Sequence, residues 1–250
     1  MNKILLITEG TRPDKTLVEK LLTFYKEKKE SIDYCIVEYK TNIHMLYEHI
    51  KEEYGDDIED ISIIPILSEK NSDFQYKKDD FSEIYLFFDY DIHHYMFSEK
   101  LSIEKLNEHL QEMLYYFNNE TGDLGKLYIN YPMVESFFID KSKEIEINSL
   151  KAYKQSSDIN KNKGKFLQKP ESFLEKNSDR ILRYHVKIET ELVKETENYS
   201  SYRDYQEITQ LMILKMQLDK YVCKNLVREL STLPRFIIEY FGERIYKRIV

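Results

Sequence analysis

Cysteine, glycine, proline and tryptophan are all scarce in this 250-residue chain. There are 2 Cys, 6 Gly, 5 Pro and no Trp. Cys35 and Cys223 are far apart, and neither has a second Cys or a His at ligand spacing, which argues against a disulfide framework and a thiolate zinc site. So few glycines and prolines leave no room for a long flexible linker. No run of eighteen apolar residues exists, and the short stretch Ile4–Ile7 ends at Thr8-Glu9, too early for a signal peptide. The sequence therefore reads as soluble and cytoplasmic, without a membrane partner. No Gly-x-x-x-x-Gly-Lys-Ser/Thr segment exists to bind ATP.

What is present is a core and an uneven charge. The hydrophobic fraction of 42%, with 21 Tyr and 13 Phe, can bury a domain of this length. The net charge of −8 argues against a uniformly basic coat for nucleic acid. Between Lys151 and Lys187, however, ten basic residues face four acidic ones, 10 − 4 = +6, so the remainder carries −14. With Tyr153, Phe166, Phe173 and Tyr184 interleaved, this stretch either tracks a phosphate backbone and stacks bases or forms a solvated loop and charged helix.

Hydrophobic periodicity divides the chain near residue 140. In 1–140, strands at Lys3–Thr8, Tyr34–Tyr39, Ser62–Leu67, Ile84–Asp89 and Lys126–Tyr131 alternate with helices at Asp14–Lys28, Asn42–Tyr54 and Ser98–Phe117. Such alternation implies an α/β fold, a mostly parallel sheet with helices on both faces. In 141–250 strand signals vanish. A polar stretch, Gln155–Lys165, reads as a mobile loop, and a long helix over Tyr202–Leu230 and another from Ser231 form a C-terminal helical appendage.

The chemistry concentrates where two apolar strands end. Ile4-Leu5-Leu6-Ile7-Thr8 runs into Glu9-Gly10, and Ile84-Tyr85-Leu86-Phe87-Phe88 runs into Asp89-Tyr90-Asp91. In a parallel sheet those carboxyl ends share one edge. If extended geometry persists through Asp91, the two aspartates point the same way and a hard cation would relieve their repulsion. Gly10 allows a sharp turn and the close approach of a phosphate.

This pattern resembles the Toprim domain, the metal-binding module of topoisomerases, primases and several nuclease families. The segment Asn130-Tyr131-Pro132-Met133-Val134-Glu135 is similar to a motif of its defence-associated OLD-type and RloB-type members. The resemblance covers roughly the first 140 residues. It implies Glu9 as the acid/base group and Asp89 and Asp91 as ligands of Mg²⁺, with Mn²⁺ as the alternative. Glu135 would be a further metal ligand, or would serve a helix dipole. Asp14 is either an accessory acid or the cap of the first helix. Arg12 and Lys15 could meet a phosphate at that helix's start. A catalytic lysine is expected in OLD-type enzymes, with Lys126, Lys154, Lys165 and Lys169 as candidates. His93 and His94 are weaker metal ligands. Lys154, Lys161, Lys163, Lys165 and Lys169 would contact nucleic acid.

The implied activity is Mg²⁺-dependent phosphodiester hydrolysis of tRNA or DNA by an effector of anti-phage or abortive-infection defence, beside a separate ABC/OLD-type ATPase, with self-association left open. Three alternatives stand. One is a non-catalytic Toprim-like partner module of a defence ATPase complex. A metal-dependent nucleotidyl or glycosyl transferase would have no use for the Glu-Gly step. A haloacid-dehalogenase phosphatase would carry its Asp-x-Asp on the first strand.

Overall fold

The computed structural model describes residues 3–27, 31–55, 58, 61–92, 101–139, 141–153, 155, 157–194 and 201–250, though not the side chains of residues 11, 12, 151, 157 and 158. In chain order the elements are β1 (Lys3–Thr8), α1 (Thr16–Tyr25), β2 (Asp33–Glu38), α2 (Ile43–Tyr54), α3 (Ile63–Lys70), β3 (Glu83–Asp89), α4 (Ile103–Tyr116), β4 (Asn118–Asn119) and β5 (Gly125–Asn130). There follow β6 (Glu144–Glu146), α5 (Leu150–Tyr153), α6 (Ser157–Gln168), α7 (Pro170–Lys194), α8 (Tyr202–Gln206), α9 (Gln210–Lys220), β7 (Leu226–Arg228), α10 (Leu233–Phe241) and α11 (Glu243–Ile249). The chain falls into two compact units, residues 1–15 with 28–128, and residues 16–27 with 129–250. The division lies near residue 128 rather than 140, and the first helix clusters with the second unit. No described helix is long and apolar enough to cross a membrane.

The first unit is α/β. Its mostly parallel sheet has the order β2-β1-β3-β5-β4 and is flanked by helices, with β4 and β5 as the antiparallel pair. β1 is bonded to β2 on one side and β3 on the other, Leu6 opposite Ile36 and Tyr85, which explains why Ile4–Ile7 is apolar on both faces. α2 begins at Asn42, whose side chain accepts the Met45 N–H, and it meets α4 through Tyr47 stacked on His109 at 4.1 Å. α4 starts at Ser102, which caps Lys105, whereas the expected cap Ser98 lies outside the described residues.

Ser62–Leu67, expected as a strand, is the start of α3. Ser62 Oγ accepts the Ile64 N–H, Pro65 falls in the first turn where its missing N–H is harmless, and Ile63, Ile64, Ile66 and Leu67 bury at helical spacing. β-branched composition was a poor guide there, because spacing and capping decided the element.

β5 enters the sheet at Gly125, whose φ is 82° and whose added Cβ would stand 2.7 Å from Ile84 Cγ2. Both the dihedral and the space demand glycine. Gly125→Ala is expected to cost about 2–4 kcal/mol, combining left-handed strain with overpacking, as a lowered urea midpoint. A midpoint equal to wild type would refute the close approach.

The second unit is mainly helical, with corrections to the expectation. β6 and β7 form a two-stranded antiparallel sheet, so strands do not vanish after residue 141. Tyr202–Leu230 is no single helix. Ser201 and Thr209 each cap a separate one, and Asn225 in the left-handed region turns the chain into β7. The last segment breaks at Gly242, φ 74°, into α10 and α11. Most of Gln155–Lys165, expected as a loop, belongs to α6, where Ile159 and Phe166 are buried two turns apart. Phe166 joins Phe138 and Phe173 in one aromatic cluster, at ring separations of 5.4 to 6.0 Å.

Candidate metal centre

The ends of β1 and β3 lie side by side because their register is parallel, Thr8 opposite Phe87. One residue on, the Glu9 N–H donates to the Phe87 carbonyl at 3.1 Å, and the Glu9 carbonyl accepts the Lys40 N–H at 3.0 Å. Glu9 is thus bound into both ladders at the strand's exit. Its side chain reaches across to β3, where Oε2 accepts the Asp89 backbone N–H at 3.0 Å. Two acids eighty residues apart in sequence meet through this bond.

Beyond β1 the chain folds back on itself. Thr8 Oγ1 donates to the Gly10 carbonyl at 3.0 Å, and the Gly10 N–H donates to Asp14 Oδ2 at 2.9 Å. Asp14 therefore braces the Glu-Gly turn from within the single π-helical turn Thr11–Lys15. That turn is where a continuous helix from Asp14 was expected, and α1 starts at Thr16.

β3 ends at Asp89, and extended geometry does not persist as expected. The Ile92 N–H donates to the Tyr90 carbonyl, a three-residue turn centred on Asp91. Asp89 and Asp91 are both buried, at 6% and 5% exposure. Tyr90 between them is fully buried and donates its hydroxyl to Asn107 Oδ1 at 2.7 Å, anchoring the turn on α4.

One residue that the sequence pattern does not single out lies near Asp91. His44, in the first turn of α2, is 1% exposed, and its ring feels the charge of Asp91. Burial dominates and pulls its pKa down to about 4, while Asp91 opposes the fall. The imidazole is neutral at pH 7. His44 is protonated more readily in the unfolded chain than in the fold, so its contribution to stability is full above the ordinary value of 6.5 and is lost as pH falls from 6.5 toward 4. Unfolding free energy is expected to drop by about 2–3 kcal/mol over that window, and a His44→Gln variant should show a shallower pH profile. Identical profiles for the two proteins would exclude the effect.

No family model, curated protein or solved structure matches this chain. Among the described residues no group of three or more His, Cys, Asp and Glu side chains is arranged to hold a metal ion. A cation caged by protein ligands alone does not fit. Asp89 and Asp91 are buried carboxylates, the ligand type that a hard cation of the Mg²⁺ kind takes one or two at a time beside water and substrate phosphate.

The other expected site residues fall elsewhere or are engaged. Lys126 is at the start of β5, beside Ile84 at the opposite end of β3 from Asp89, and its ammonium stands 3.7 Å from Glu120. It is not placed to serve this rim. Lys15 Nζ is 3.4 Å from Glu38. Glu135, in the second unit, is 3% exposed and its Oε1 accepts from Lys163 Nζ at 2.8 Å, so that lysine neutralises it. Asn130 is committed to structure, its Oδ1 accepting from Ser231 Oγ and the Thr232 N–H at the start of α10. The Arg12 side chain, His93, His94 and Lys154 lie outside the described residues. Lys161, Lys165 and Lys169 are exposed on α6 and at its end.

Proposed function

We propose that the rim formed by Glu9, Asp89 and Asp91 hydrolyses phosphodiester bonds with Mg²⁺, and that nucleic acid, tRNA or DNA, is the substrate. The observation that carries this reading is the bond from the Asp89 N–H to Glu9 Oε2, which brings the Glu9 carboxylate against the backbone of Asp89 at one sheet edge. Asp89 and Asp91 supply the anionic oxygens, held in low-dielectric surroundings where charge interactions are strong. Glu9, fixed by its bond to β3, is the group to take a proton from an attacking water. Asp14 keeps the Glu-Gly turn closed, its carboxylate lying 3.2 Å from where a side chain at Gly10 would begin. A bound Mg²⁺ would supply Lewis acidity and charge compensation to the phosphoryl oxygens. The resemblance to defence-associated Toprim nucleases supports a role as an anti-phage effector, with an ATPase as the partner.

One observation favours a second reading, a non-catalytic partner module: no described set of three ligating side chains is preformed. A single experiment separates the two. Labelled tRNA, single-stranded DNA and duplex DNA are incubated with the protein in Mg²⁺, Mn²⁺ or chelator, with and without total cell extract. Cleavage that needs the divalent ion supports the nuclease. No cleavage under any condition, extract included, sinks it.

A further inference from the structure

A cleft of about 480 Å³ opens between α6 and the first half of α7. It is lined by Lys165, Gln168, Lys169, Ser172, Phe173, Lys176 and Asn177, so three cations and no acid face it. This follows from how α7 sorts its charges. Positions 169, 172, 173, 176 and 177 recur at helical spacing along one face. The acids at 171, 175 and 179 recur along another. Two of these are neutralised within the unit, Glu171 by Lys20 at 2.6 Å and Asp179 by Arg248 at 2.9 Å. Among the described residues none of the three cleft lysines is held in an ion pair.

We infer that this cleft seats the phosphate backbone of a nucleic acid and reads charge without stacking bases. Lys169 and Lys176 are seven residues apart, about 10 Å along the helix. No single small anion satisfies cations so spread, whereas successive phosphates of one strand do. The aromatic residues of this stretch, expected to offer stacking faces, do not do so. Tyr153, Phe166 and Phe173 are 5%, 0% and 7% exposed, and Tyr184 is half-buried. A single-strand platform needs exposed rings, so the ligand is recognised by its backbone alone. The inference shares with the proposed function the premise that nucleic acid is the ligand, but not the chemistry at β1 and β3.

The test is fluorescence anisotropy with a duplex DNA and an equally long thymidine strand, in excess chelator so that cleavage plays no part. Salt is varied from about 50 to 200 mM. The triple variant K165Q/K169Q/K176Q is compared with wild type and with K143Q/K215Q/K224Q, which alters three exposed lysines elsewhere in the unit. All substitutions are at exposed positions, and unchanged melting curves confirm folding. The cleft variant is expected to lower the slope of log affinity against log salt by about 2 to 3, while the control keeps the wild-type slope. Wild type that binds neither nucleic acid, a cleft variant with unchanged slope, an equal loss in the control, or much tighter binding of the thymidine strand than of duplex would each overturn the inference. Binding with this slope loss but without Mg²⁺-dependent cleavage would leave the cleft standing and remove only the nuclease reading.

Discussion

Asp89→Asn is expected to lower Mg²⁺-dependent cleavage by about 10²–10³-fold while the fold persists, the scale seen when one preorganised electrostatic group is removed from a site. The side chain keeps its shape and loses its charge. Its backbone N–H still donates to Glu9 Oε2, so the proposed general base stays where it is and the loss can be assigned to the carboxylate. A second readout is independent of turnover. Asp89 and Asp91 are both buried, and a cation that binds only the folded protein raises its melting temperature by mass action. Wild type should melt higher in Mg²⁺ than in chelator, and Asp89→Asn should show little such difference. Glu9→Gln should lose rate by a similar factor yet retain much of the Mg²⁺ shift, because it removes the base and not the buried pair. Equal cleavage by wild type and Asp89→Asn would end the assignment, even if both were active.

The largest effect on stability is expected at Arg235. Its guanidinium is 1% exposed and donates through Nε to both oxygens of Glu189, at 3.1 and 3.2 Å, and through Nη1 to Glu239 at 2.8 Å. The Tyr205 ring lies under it at 4.3 Å, and the Tyr205 hydroxyl donates to Glu189 Oε2 at 2.6 Å. This joins α7, α8 and α10 through one buried charge network. Arg235→Met fills most of the space but leaves the Glu189 carboxylate buried without its counter-ion, a cost of about 3–5 kcal/mol. The double variant Arg235→Met with Glu189→Leu removes both charges and should recover much of that loss. Urea unfolding of the two singles and the double measures the coupling. Arg235→Met within about 1 kcal/mol of wild type would show that the pair is not the joint we take it to be.

The parallel sheet and the meeting of Glu9 with Asp89 were legible because both rest on one rule. Apolar runs that need burial on both faces pair in parallel, and parallel strands end together. Asp91 was legible as an acid and not as a geometry, since a local turn, invisible in the pattern, follows directly after β3 ends at Asp89. His44 gave no signal of its own. It shares a helix face with Leu46, Tyr47 and Ile50, and only the packing of α2 brings its ring into the field of Asp91. Lys126 failed for a directional reason. A residue that begins a parallel strand cannot share the edge where its neighbours end. In the second unit the errors came from composition. Polar residues hid α6, whose deep anchors among the described residues are two apolar side chains, and a long apolar period concealed two caps and a left-handed asparagine.

Residues 16–27 come from near the start of the chain yet complete the unit built from 129–250. Within it Tyr25 donates to Asp179, Lys20 pairs with Glu171, and Arg244 reaches both Glu27 and the Tyr25 carbonyl. No single cleavage point therefore yields two intact halves. A fragment beginning at residue 129 would expose the apolar faces that α1 covers on α7 and α10, and would aggregate. Dissecting the molecule calls for a rearranged chain, with 16–27 re-attached to the far terminus by a new peptide joint.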